Sequence, residues 1–119
     1  MAKKMKIYLA SPVNGRKEKT LKEKQKAAMK RIDEMADYLV KFYPDAEFIN
    51  PVRKIFWVSE RETWIMGMCV TMVMESDIVI LDDGWESSQG CTVERFVAMQ
   101  YGKQVDTFNH FKLKEKLNQ

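Results

Sequence analysis

The sequence has few residues of the types that build metal centres and redox sites. It contains two cysteines, Cys69 and Cys91, with no C-x-x-C motif, and its one histidine is His110. A zinc site or a redox dithiol needs more ligands at closer spacing than these three residues supply. We therefore expect no metal site.

Glycine-rich phosphate loops and hydrolase triads are also missing. Five glycines are spread over the chain, and residues 11–16 contain neither G-x-G-x-x-G nor G-K-[ST]. His110 has no G-x-S-x-G partner with which to form a serine triad. These absences exclude NAD, ATP and triad chemistry, and we expect no cofactor.

Long apolar runs and a strong charge of one sign are lacking as well. No run of about 18 apolar residues occurs, and the N-terminus has no signal-peptide pattern, so we expect a cytoplasmic protein without a membrane partner. The 20 Lys and Arg residues against 17 Asp and Glu give a net charge of only +3. The basic stretch over residues 16–31 lacks the interleaved aromatics of a nucleic-acid groove, so we expect no nucleic-acid partner.

What is present is an alternation of short apolar runs with amphipathic ones over 119 residues, which predicts a single domain spanning residues 1–119. We predict strands at residues 6–13, 46–52, 77–81 and 105–108. Capping boxes at Thr20-x-x-Glu23 and Ser59-x-x-Glu62 predict the starts of two helices. Further helices are predicted at residues 90–101, with Gly102 as an αL cap, and at residues 111–117.

Strands that alternate with helices favour right-handed βαβ units. The fold class predicted is α/β, a flavodoxin-like or Rossmann-like doubly wound parallel sheet of four to five strands with helices on both faces. Ligands of such sheets bind beyond the carboxyl ends of the strands, where the strand order reverses. The loops at residues 11–19, 51–58 and 82–89 are therefore the places to look for a site.

The third of these loops leads into a helix whose first amides form an anion site. Glu94 follows Gly90 by four residues, so both lie on one helical face, and the missing side chain at Gly90 leaves Glu94 uncovered. The helix dipole is expected to keep Glu94 ionised, as suits a nucleophile. The alternative is that Ser87 or Ser88 is an ordinary N-cap and that Glu94 is a solvated acid.

The first loop carries Asn14, Gly15 and Arg16 just beyond the first strand. This polar turn with a cation could clamp a phosphate or simply connect two elements. Tyr8, inside the strand, could point toward the crevice or be an ordinary core residue.

Two segments resemble a known family. Residues 8–15, Tyr-Leu-Ala-Ser-Pro-Val-Asn-Gly, resemble the opening Y-[IL]-[AS]-[GS]-P-[IV]-x-G strand and loop of the nucleoside 2-deoxyribosyltransferase-like superfamily. Residues 77–103, with Gly-Trp-Glu-Ser-Ser-Gln-Gly-Cys-Thr-Val-Glu at their centre, are similar to the signature of a small-protein, DUF4406-like branch. With Asn50-Pro51, the likeness spans most of the chain.

The resemblance implies a catalytic role for Glu94, as the nucleophile that attacks C1′ of a ribose or deoxyribose while the base leaves. Ser88, six residues before it, resembles the serine that contacts the 5′-phosphate in nucleoside 5′-monophosphate N-glycosidases, whereas transferases acting on free nucleosides tend to carry Asp there. The substrate implied is a nucleotide or nucleoside. Tyr8 would be the second catalytic residue. The implied substrate-binding residues are Ser11, Pro12, Asn14, Gly15, Arg16, Asp83, Trp85, Ser88 and Gly90.

The role of Trp85 stays open between stacking on a base and packing at the rim of the pocket. One position departs from the family pattern, because Cys69 stands where active members carry an aspartate that orients the sugar and the catalytic glutamate. A thiol is a poor substitute for a carboxylate acceptor. Asp82 or Asp83 could take over part of that role. The departure leaves two hypotheses: an N-glycosidase or deoxyribosyl transferase, and a nucleotide-binding or regulatory module with weak or no chemistry.

The helix predicted to start at the second capping box is apolar almost all round. One side would cover the sheet, and the other would meet a second subunit, so we expect a homodimer or a higher homo-oligomer. The alternative is a helix deeply buried in a monomer.

Overall fold

The computed structural model describes residues 4–13, 17–55 and 62–118. In that part of the chain four parallel strands form one sheet in the order β2-β1-β3-β4. The strands are β1 (Lys6–Ala10), β2 (Glu47–Ile49), β3 (Ile78–Leu81) and β4 (Gln104–Thr107). The helices are α1 (Leu21–Leu39), α2 (Pro51–Ile55), α3 (Glu62–Met74), α4 (Gln89–Gln100) and α5 (Phe108–Leu117). The predicted α/β, doubly wound class is confirmed.

Side-chain alternation along the central strand β1 divides the core between the two faces of the sheet. Ile7 and Leu9 pack in one cluster with α1 and α5, together with Ala28, Ile32, Met35, Leu39, Phe108 and Phe111. Tyr8 and Ala10 point to the opposite face and pack with α3 and α4, together with Cys69, Val73, Cys91 and Ala98. Since successive residues of a strand face opposite sides, one strand supplies both cores.

Two of the predicted helix signals are confirmed. The Thr20 hydroxyl accepts a hydrogen bond from the Glu23 N–H at 3.1 Å and caps α1. Gly102 follows α4 with a φ of +70°, the left-handed conformation that a glycine adopts at little cost.

Several predicted boundaries are wrong. β1 ends at Ala10 rather than at residue 13, and β2 ends at Ile49 because Asn50 and Pro51 begin α2. The Asn50 side chain accepts from the Arg53 N–H, as an N-cap does, and proline suits the first helical position. The last helix begins at Phe108, since the Thr107 side chain accepts from the His110 N–H.

α3 carries apolar side chains on most sides. Cys69 and Val73 are buried against the sheet, whereas Met74 is 41% exposed. Ser59, half of the predicted cap, lies outside the described residues. In the described parts of the chain, no helix combines the length and apolarity that a membrane crossing requires.

Strand order reverses at β1, which has β2 on one side and β3 on the other. The chains leaving β1 and β3 stay together beyond the strands, because the Asp82 N–H donates to the Ala10 carbonyl at 2.8 Å. By the rule for open parallel sheets, the crevice for a ligand lies at this point.

Candidate active site

A cavity of about 260 Å³ opens beyond the carboxyl ends of β1 and β3. All three of the loops that the sequence indicates contribute to it, together with one side of α3 and the first turns of α4. The residues that line it are Tyr8, Ser11, Val13, Pro51, Val52, Ile65, Met66, Cys69, Ser88, Gln89, Gly90, Cys91, Val93 and Glu94. The lining therefore combines apolar side chains with several polar groups.

Glu94 lies in the second turn of α4 and lines the cavity with a side chain that is only 6% exposed. It forms no ion pair with any residue of the described segments. A Cβ placed on Gly90 would lie 3.8 Å from its Oε1, so the absent side chain does leave room in front of the carboxylate. The expectation of a bare, exposed carboxylate is nevertheless wrong, because the cavity walls cover it.

The charge state of Glu94 also differs from the sequence expectation. Burial raises the pKa of its carboxyl group from 4.5 to about 7. The nearby Tyr8 hydroxyl has a smaller effect, which lowers this pKa. Glu94 lies beyond the first helical turn, where the dipole has fallen off, so desolvation prevails. The carboxyl group is poised to exchange a proton near neutral pH.

Tyr8 is completely buried and reaches the cavity from β1. Its hydroxyl has no hydrogen-bond partner of standard geometry among the described residues. It still lies close enough to Glu94 for each group to affect the pKa of the other. Burial, followed by the Glu94 charge, raises the Tyr8 pKa well above its ordinary value, so the hydroxyl stays protonated and available as a donor.

Both cysteines line the same cavity as Glu94. Burial raises the pKa of each thiol to about 12, and the charge of Glu94 adds to the effect. The thiols are therefore protonated at neutral pH and are not activated nucleophiles. Cys69 stands beside Glu94, as the resemblance implies for that position, but it brings no second negative charge.

The start of α4 supplies the polar end of the cavity. Ser88 is the N-cap, and its Oγ accepts from the Cys91 N–H at 3.3 Å. The N-cap alternative is thus confirmed for Ser88, which also lines the cavity. The N–H groups of Gln89 and Gly90 belong to the first turn, which has no intrahelical acceptors for them. An anionic or hydroxyl group of a ligand is the partner that such amides favour.

Ser11 is held by a charged network behind the cavity. Its hydroxyl donates to Asp82 Oδ2 at 2.8 Å, and Asp82 is itself buried. Arg31 of α1 donates to both Asp82 oxygens, with Nε at 3.1 and 3.0 Å and Nη2 at 2.9 Å from Oδ1. Both Asp82 oxygens thus have partners, and Asp82 does not line the cavity; that it takes over part of the role of the family aspartate stays a prediction.

Replacing Arg31 with methionine should lower the free energy of unfolding by about 2 kcal/mol, because Asp82 would lose its counter-ion inside the protein. Arg31 is partly solvated at 30% exposure, so the effect should fall short of that for a fully buried pair. Urea unfolding followed by circular dichroism measures the change. Arg53→Met, which breaks an exposed pair with Asp33, is the matched control and should change stability little. Equal losses of unfolding free energy in the two variants would contradict the role of Arg31 as the counter-ion of the buried Asp82.

The remaining predicted substrate-binding residues lie in different places. Pro12 is half-buried between two lining residues but is not part of the wall. Asp83 is exposed and away from the cavity. Trp85 is half-buried under the Arg95 guanidinium, 5.0 Å above its ring, and lines a different cavity. Asn14, Gly15 and Arg16 lie outside the described residues.

Part of the apolar lining escaped the sequence prediction: the loop that begins at Pro51 and Val52 was indicated, but Ile65, Met66 and Val93 were not expected at the site. The Asn50-Pro51 pair could have indicated a helix start there, because asparagine caps and proline follows. Among the residues of segments 4–13, 17–55 and 62–118, no three His, Cys, Asp or Glu side chains come together as a metal site would need.

The fold and the cavity define a small α/β domain with a carboxylate buried at the topological switch point of its sheet. Residues 5–107 match the family described as Domain of unknown function (DUF4406), so the chain belongs to that family. No curated protein and no solved structure gives a significant match. Membership of the wider deoxyribosyltransferase-like superfamily stays a prediction.

Proposed function

We propose that the cavity binds a nucleoside or a nucleoside 5′-monophosphate and that Glu94 cleaves its N-glycosidic bond. The observation that carries the proposal is the Glu94 carboxylate, unpaired among the described residues, in a cavity at the start of a helix. A buried carboxyl group that costs stability and forms no ion pair is typical of a functional site.

The size and lining of the cavity support a ligand of this class. A volume of about 260 Å³ lies just below the usual range for ligand pockets of about 300 to 1,000 Å³, which favours a single nucleoside unit over a dinucleotide. Val52, Ile65 and Met66 offer an apolar wall for a base. Ser88, Gly90 and Glu94 offer polar contacts for a sugar or a phosphate.

The reaction follows from the ionised form of Glu94. A carboxylate oxygen attacks C1′, the new O–C1′ bond forms, and the base departs with the electron pair of the C1′–N bond and then takes up a proton. Water then attacks C1′ and releases the sugar and the free carboxylate; in a transfer reaction, a second base takes the place of water. The positive charge that develops on the sugar favours the ionised carboxylate in the transition state.

Tyr8 acts on the carboxylate rather than as a base. Its hydroxyl stays protonated because burial and the Glu94 charge raise its pKa well above the ordinary value. A small movement on ligand binding would align it as a donor to one Glu94 oxygen, which would leave the other to attack. Tyr8 is therefore assigned to orienting the nucleophile.

The direct test is release of free base. The protein is incubated at pH 8, where most Glu94 is ionised, with each common nucleoside and nucleoside 5′-monophosphate in ribose and deoxyribose forms. Chromatography should detect a free base from at least one of them, together with the sugar or sugar phosphate. A protein that neither releases base from any of these compounds nor binds any of them contradicts the proposal.

The second candidate function is a nucleotide-binding or regulatory module with little chemistry. The neutral thiol of Cys69, where the family pattern has a carboxylate, is the observation that favours it. Saturable binding of a nucleoside or its monophosphate in calorimetry, without release of base, would favour the binding module over the N-glycosidase.

Assembly into a homo-oligomer stays a prediction. α3, on which it was based, has half-buried side chains at Ile65, Met66 and Met72. On α4, Phe96 is 62% exposed, which leaves a second apolar surface open. Sedimentation velocity of the purified protein measures the number of subunits.

A further inference from the structure

A second cavity of about 550 Å³ lies between α4, the edge strand β4 and the start of α5. Its functional groups are those of Trp85, Arg95, Met99, Lys103, Asp106 and His110. It shares no lining residue with the cavity that contains Glu94. Trp85 comes from the Gly-Trp-x-x-Ser segment of the sequence, yet it takes no part in the proposed catalytic site.

The charges around the second cavity leave a positive surplus. Among its described lining residues Asp106 is the one acid; its Oδ2 already pairs with Lys114 at 2.8 Å, and its Oδ1 lies 2.6 Å from His110 Nδ1. Arg95 and Lys103 form no ion pair within segments 4–13, 17–55 and 62–118. Two cations of the described segments thus line the second cavity without a carboxylate partner.

Apolar side chains lie beside these cations. The Arg95 guanidinium stacks 5.0 Å above the Trp85 ring, and Met99 is 53% exposed at the edge of the cavity. A stacked guanidinium keeps its N–H donors in its own plane, where they remain available to an anion. The thioether of methionine adapts to rings of different shape.

We propose that the second cavity binds a small organic anion that carries a flat ring, such as an aryl phosphate. The anionic group contacts Arg95 and Lys103, and the ring lies against Met99 and Val105, beside the Trp85 indole that Arg95 covers. The proposal is independent of the chemistry assigned to Glu94, because the two cavities have separate linings.

Phenyl phosphate is a suitable probe, and the indole N–H signal of Trp85 in a nitrogen-15 NMR spectrum reports its binding. The chain has three tryptophans, so Trp85→Phe identifies the signal. We expect a saturable shift at concentrations up to about 10 mM, in line with a weak fragment. Inorganic phosphate, which lacks the ring, and benzyl alcohol, which lacks the charge, should each bind roughly tenfold more weakly or worse.

Matched variants separate this site from general attraction to a basic protein. Arg95→Gln and Lys103→Gln should each weaken binding of phenyl phosphate by roughly tenfold, the loss expected for a charge-assisted hydrogen bond. Lys116→Gln, an exposed cation on α5, should leave it unchanged. Circular dichroism checks that each variant is folded.

Three results would overturn the proposal. The first is the absence of a saturable Trp85 shift with phenyl phosphate. The second is equal binding by Arg95→Gln, Lys103→Gln and the wild-type protein. The third is a shift of the Gly90 amide in place of the Trp85 indole, which would assign the probe to the other cavity.

Discussion

Replacing Glu94 with glutamine should reduce the rate of base release by at least about a thousandfold, because the amide oxygen is not a nucleophile of comparable strength. The substitution keeps the size of the side chain, so the cavity and its apolar wall should persist. Binding of the ligand should change much less than turnover. Single-turnover assays with free base as the readout separate the two quantities.

Glu86→Gln is the matched control for this experiment. Glu86 is an exposed acid in the short 3-10 helix Trp85–Ser87, before α4, and it does not line the cavity. The control variant should turn over at the wild-type rate. Base release that persists in Glu94→Gln would remove Glu94 from its proposed role, whatever the control does.

The same substitution should stabilise the unliganded protein at alkaline pH. The pKa of Glu94 rises from 4.5 to about 7 on folding, so the folded state binds the proton more tightly than the unfolded state. The free energy of unfolding contributed by Glu94 therefore falls as the pH rises from 4.5 to about 7 and stays low above it. Glutamine cannot ionise, and its variant should be more stable than the wild type above pH 7 by on the order of 3 kcal/mol.

Urea unfolding between pH 4 and pH 9 measures this difference. The advantage of Glu94→Gln should vanish below about pH 4.5, where glutamic acid is neutral in both the folded and the unfolded state. Glu86→Gln should follow the wild-type curve at every pH. A variant that is less stable than the wild type at pH 8 would show that burial of the Glu94 charge carries no such cost.

The sequence predicted the fold well because its signals were local. The Thr20 cap, the apolar strand runs and Gly102 each determine conformation within a few residues. The boundaries near Asn50 and Thr107 were missed because a polar N-cap starts a helix at each of these residues. There the cap outweighs the strand propensity of the neighbouring residues.

The site was predicted less completely because it depends on contacts between distant segments. Spacing along α4 correctly set Gly90 beside Glu94, but it could not reveal the residues of α2 and α3 that line the same cavity, or the burial that raises the pKa of Glu94. The partner of Asp82 was equally hidden, because Arg31 is 51 residues away in the chain. Trp85, adjacent to the site in sequence, lines the second cavity instead.

Ser88 performs two tasks at once, because its hydroxyl caps the first turn of α4 and Ser88 also lines the cavity. Among residues with a side-chain acceptor, threonine, asparagine and aspartate satisfy the first task best. These three differ in charge and in hydrogen-bond donors, so exchanging them would change which ligands the domain prefers without unravelling the helix. Single substitutions at this backbone junction can therefore change the polar groups that the cavity presents while the helix is kept.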